Sequence, residues 1–147
     1  MIQFHSLCPE VAQREVRCVQ VGPGPGLPAD EYAYVEFYCE DLQCDCRRVF
    51  LQVMAKGQPE KVFASINYGW EEESFYQKRM AWDPTAARRV VRGELDPMNA
   101  QSEFAEDLLE LFQRHVLDEP YRLRLRRHFR LFKDELARRE SPAADGY

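Results

Sequence analysis

Apolar and polar residues alternate with a period of two over residues 31–39, 47–55 and 61–68, three runs rich in aromatic and β-branched side chains and joined by short connections. The pattern predicts an antiparallel meander. In the first run Ala33, Val35, Phe37 and Cys39 share one face and Tyr32, Tyr34, Glu36 and Tyr38 the other, and the Ala-Val-Phe face is the expected core. An earlier alternating stretch, 14–21, adds a fourth strand that stops at Gly22, and Pro9 is placed to start a short helical turn before it.

After Trp70 the period lengthens to that of a helix. Glu71, Glu72 and Glu73 suit a helix N-terminus, and the helix runs to about Ala81 before Asp83-Pro84 interrupts it, leaving 83–98 as a connection. Ser102 is the expected N-cap of the next helix, whose stripe is Phe104, Leu108, Leu111, Phe112 and His115. Pro120 opens a long last helix with Tyr121, Leu125, Phe129, Phe132 and Leu136 on one side. The fold expected is therefore α+β: an antiparallel meander of about four strands followed by C-terminal helices packed on one face. Residues 1–140 read as one domain with a cysteine-rich hairpin, and 141–147 as a flexible C-terminal tail.

The chain has 147 residues, a size that one core can serve, and 45% of them are hydrophobic. A net charge of −5 argues against a surface that coats nucleic acid or membrane throughout, while leaving local basic patches open. No run approaches the ~20 apolar residues that cross a bilayer, and the first residues lack the basic flank and apolar stretch of an export signal. The expected location is cytoplasmic, with no membrane partner. Five cysteines cannot all pair within the chain, and thiols in that compartment stay reduced.

Three of them, Cys39, Cys44 and Cys46, form C-x4-C-x-C within YCEDLQCDCRR, between two predicted strands. Three thiols confined to one hairpin suit zinc, which takes four ligands in a tetrahedron, provided that a fourth arrives from elsewhere. The candidates are Cys8, His5, Cys18, Asp41, Asp45 or water, with Cys8 and His5 closest to hand if the N-terminal segment folds over the hairpin. Arg47 and Arg48, next to the cluster, favour thiolates and can balance a Zn(Cys)3 centre. The rival readings are a reactive thiol and ordinary buried cysteines.

Other features are weaker. VGPGPGLPADE lacks backbone donors at Pro23 and Pro25 and reads as a loop rather than a phosphate cradle. His115 and His128 lie on apolar stripes, where histidine is more often core than ligand. Arg122, Arg126 and Arg130 make an i, i+4 ridge that can meet phosphates, or else a solvated face. Asn67-Tyr68-Gly69-Trp70 can line a pocket, or cap a core with Gly69 making the turn.

The segments YCEDLQCDCRRVFLQV, INYGW and LDPMNAQSE together resemble a bacterial family of uncharacterised proteins. The resemblance implies a shared fold and cysteine site and transfers no activity. The reading of the residues is a small zinc-binding domain with a structural metal, serving as an interaction module for a protein partner. Its alternatives are a nucleic-acid-binding protein using the basic last helix, and a metal- or thiol-dependent enzyme.

Overall fold

The computed structural model describes residues 1–141, so all but the first residue of the expected tail lies outside the described residues. The chain opens with a two-residue strand, β1 (Ile2–Gln3), and two short helices, α1 (Phe4–Leu7) and α2 (Pro9–Glu15), before β2 (Arg17–Val21). The meander follows as β3 (Asp30–Tyr38), β4 (Arg48–Ala55) and β5 (Gln58–Gly69). Then come α3 (Glu73–Arg79), α4 (Ala86–Arg92), a short β6 (Glu94–Leu95), α5 (Ala105–Leu111) and the 21-residue α6 (Glu119–Arg139). All strand pairs are antiparallel; β1 and β2 share one edge of β3, and β6 closes the other side against β5. The fold is α+β as the patterning predicts.

The buried face of β3 is the opposite of the expected one. Tyr32, Tyr34, Glu36 and Tyr38 are buried and face the helices, whereas Ala33, Val35 and Phe37 are only half-buried on the other side. Bulk decides this: three tyrosines fill the space beneath α5 and α6 that alanine and valine would leave empty, and their hydroxyls are satisfied there. Tyr34 Oη donates to the Leu108 carbonyl at 3.3 Å, and Tyr38 Oη to Glu36 Oε1 at 2.6 Å. The cross-strand partners on that face, Val53 and Leu51 of β4 and Ala64 and Ile66 of β5, continue the core.

Helix α6 follows its sequence closely. Asp118 caps it by accepting from Tyr121 N at 2.9 Å, Pro120 sits in the first turn, and Tyr121, Leu125, Phe129, Phe132 and Leu136 are all buried. Elsewhere three expectations fail. The segment 83–98 contains α4, which with Tyr76 of α3 and Met80 just after it builds a second, smaller apolar cluster. Ser102 is not the cap of α5; its hydroxyl donates to the Phe63 carbonyl and accepts from Phe104 N, closing a turn ahead of the helix. His115 is exposed, because residues Phe112–Val116 form a π-helical turn that carries Val116 to the core in its place.

Candidate metal centre

The connection between β3 and β4 is short and tightly tied. Cys44 N donates to the Asp41 carbonyl at 3.1 Å and Gln43 N to Asp41 Oδ1 at 2.9 Å, making a turn closed by main chain and side chain together. Lys133 of α6 reaches across and donates to the carbonyls of Cys39 and Asp41 at 2.8 and 2.7 Å. The turn is thus fastened to α6.

Within it the Sγ atoms of Cys39, Cys44 and Cys46 lie within 4.8 Å of one another, each half-buried. Among the described residues no other group of three His, Cys, Asp or Glu side chains is drawn as close. Three soft donors at this separation can hold a metal ion.

Electrostatics around the sulfurs differ from the expectation. Arg47 does not serve them: its guanidinium binds Asp45 through Nε and a terminal nitrogen at 2.9–3.1 Å and Glu71 at 2.6 Å. Its backbone sits at φ 50°, a left-handed conformation uncommon outside glycine, and Tyr76 Oη locks it by donating to the Arg47 carbonyl at 2.6 Å. Gly69 does not make a turn; it ends β5 beneath the Tyr76 ring, which leaves no room for a Cβ. The Cys44 thiol is pushed up to about 11, first by burial and then by Cys46 and Cys39. A thiol so placed keeps its proton at neutral pH and is a poor nucleophile.

The remaining candidates are not gathered with these three. His5 is exposed on α1, where it lines a separate cavity of about 400 Å³ with Phe4, Val35 and Glu36. Cys8, between α1 and α2, packs against the core near Glu135 and Arg139 of α6, and burial raises its thiol above the usual range. Cys18 lies in β2 opposite Ala33. Asp45 is held by Arg47, while Asp41 is exposed and binds the turn through one oxygen.

A second polar cluster, unforeseen in the sequence, lies on the core side of β3. His128 is fully buried, stacked on Phe4 with ring centroids 4.4 Å apart, and its Nδ1 and Nε2 face Glu36 Oε1 and Glu15 Oε1 at 2.7 and 2.8 Å. Arg127 also binds Glu15, at 2.8 Å. The one clue was Glu36, a single carboxylate on a face of tyrosines.

Comparison with known protein families, with curated proteins and with solved structures finds no match. Among the described residues no helix is long and apolar enough to cross a membrane.

Proposed function

We propose that Cys39, Cys44 and Cys46 hold one structural zinc ion, and that the domain is an interaction module whose binding surface the metal-pinned hairpin and α6 set together. The observation that carries this is the approach of three sulfurs to within 4.8 Å in a turn gripped by Lys133. Zinc–thiolate bonds of ~2.3 Å in a tetrahedron place sulfurs ~3.8 Å apart. The cluster therefore needs to close only slightly, by side-chain rotation, to meet that geometry. Asp41 lies in the same turn but outside the sulfur cluster, so the fourth ligand is either its second carboxylate oxygen, brought in by side-chain rotation, or a water.

A structural role fits better than a catalytic one. Catalytic zinc pairs an open position with a nearby acid or base, and the neighbouring carboxylates Asp45 and Glu71 are both ion-paired with Arg47. The raised Cys44 thiol also speaks against Cys44 as a reactive thiolate. Nucleic-acid binding along α6 has less behind it, because much of the basic surface is used internally. Arg122 binds Glu119 and the Trp70 carbonyl, Arg127 binds Glu15, and Arg138 and Arg139 share Glu135.

Elemental analysis of the full chain, purified without added metal, tests the reading. The expected result is close to one zinc per chain, falling to background in the Cys44→Ser/Cys46→Ser variant and unchanged in Cys18→Ser. X-ray absorption should then show three sulfur ligands and one lighter atom. Absent zinc, or zinc content indifferent to the double substitution, ends the proposal.

A further inference from the structure

Beside the cysteine hairpin lies a cavity of about 420 Å³, walled by Trp70 and Phe129, whose charged lining sets Arg47, Arg126, Arg130 and Lys133 against Asp45, Glu71 and Asp134. It adjoins a wider depression of about 730 Å³ that shares Trp70, Glu71 and Arg126, and in which Lys78, Arg79, Arg122 and Arg126 face only Glu71 and Glu72. A cationic groove of this kind is unexpected in a chain of net charge −5. The volume of the inner cavity is that of a small-molecule site.

The cations in the groove are not equivalent. Arg47 is neutralised by Asp45 and Glu71, Arg122 is taken by Glu119 and the Trp70 carbonyl, Arg79 rests on the Phe75 ring and its carbonyl, and Lys133 is occupied with the hairpin carbonyls. Lys78, Arg126 and Arg130 remain, all exposed, and of these only the two arginines line the inner cavity. Among the described residues neither guanidinium has an ion pair or hydrogen bond, and Asp134 on the same wall pairs with neither. Spaced i, i+4 on α6, their Cβ atoms are roughly 5–6 Å apart, which lets two planar forks converge on one group.

We propose that this inner cavity is an oxyanion site, in which Arg126 and Arg130 together bind a phosphoryl or carboxylate group of a small ligand next to the cysteine hairpin. A small ligand fits better than a nucleic-acid strand for two reasons. The aromatic faces that would stack bases are taken: Trp70 is 2% and Phe129 7% exposed, and Phe75 carries Arg79 at 3.6 Å and Arg47 at 4.6 Å. Along α6 the unpaired positive charge is also local, bounded by Arg122 and Lys133, both already bound. The inference does not depend on the metal, since both guanidiniums come from α6.

The test is an NMR titration of the full chain with inorganic phosphate and, separately, with succinate, at fixed ionic strength against chloride. Saturable shifts at the amides of Arg126, Arg130 and Cys44 are expected with at least one of them, and the tighter of the two names the source of the oxyanion. The Arg126→Ala/Arg130→Ala variant should bind at least about tenfold more weakly, with its thermal midpoint in chloride and its zinc content unchanged. Arg114→Ala, far from the cavity, should bind normally. Zinc content measured on the same samples separates loss of the anion from loss of the metal. The proposal is overturned if neither anion gives saturable shifts, or if the double variant binds as well as the unsubstituted chain. It is also overturned if Arg114→Ala weakens binding equally, or if only a single-stranded oligonucleotide binds through the two arginines.

Discussion

The chain places two polar clusters at the same end of β3 and anchors both to α6, yet they are built on opposite principles. On the core side Glu15, Glu36, His128 and Tyr38 satisfy one another: each ring nitrogen of His128 faces a carboxylate oxygen, and the Tyr38 hydroxyl donates to Glu36. At the hairpin the sulfurs of Cys39, Cys44 and Cys46 lie within 4.8 Å of one another, and the charged groups around them, Arg47, Asp45 and Glu71, are paired with each other instead. A closed network is a device for fixing a helix to a sheet. An open set of soft donors is a place for something to bind.

The closed cluster should break hardest. Replacing His128 with Leu takes away the ring nitrogen 2.7 Å from the Glu36 carboxyl, 5% exposed, and leaving a buried polar group short of a partner costs about 1–3 kcal/mol. Urea unfolding should show the unfolding free energy falling by that amount, read from a lower midpoint at unchanged slope. His128→Gln, which keeps one donor, should recover part of it. A loss below about 1 kcal/mol for the leucine variant would mean that the network is ornamental to stability, erasing half of the contrast with the hairpin.

The same contrast explains what could be read in advance. The cysteine cluster is local, spread over eight positions of sequence, so spacing alone exposed it. The α6 stripe was equally legible because five large apolar residues repeat at helical spacing. What the sequence concealed depends on contacts between distant segments: Lys133 reaches Cys39 across 94 residues and His128 reaches Glu15 across 113. The inverted face of β3 has a different origin. Tyrosine is amphipathic, so a run of Tyr and Glu reads as solvent-facing unless acceptors such as the Leu108 carbonyl are known to wait inside. His115 was misplaced because a π-helical turn shifts the stripe by one residue, and no periodicity announces it.

Acid should separate the two clusters next. Hydrogen bonds from Arg127 and then His128 hold the Glu15 carboxyl down at about 2 from an ordinary 4.5. A carboxyl lowered in the fold contributes stability that is present above pH 4.5 and lost as the pH falls toward 2. Because the Glu15 side chain is 26% exposed and partly screened, the contribution is on the order of 1 kcal/mol. The Glu15→Gln variant should be less stable at neutral pH by that amount and should show a flatter fall over the same window. Parallel curves for the two chains would show that Arg127 and His128 gain nothing from the charge on Glu15.

The smallest effect belongs to the hairpin. Arg47 at φ 50° sits in a region that costs a non-glycine residue roughly 1 kcal/mol, while its guanidinium joins Asp45 and Glu71 in half-exposed ion pairs worth about 0.2–1 kcal/mol each. Arg47→Gly removes strain and ion pairs together, so its stability, measured by urea unfolding in chelator, should stay within about 1 kcal/mol of the unsubstituted chain. Arg47→Ala removes the pairs and keeps the strain, and should be less stable than the glycine variant by roughly 1 kcal/mol. That difference isolates the backbone term. Equal stability would mean that the turn adopts this conformation without resistance. A difference of the expected size means that Tyr76, Asp45 and Glu71 hold the turn against its own preference, and so hold Cys44 and Cys46 beside Cys39 before any ion arrives.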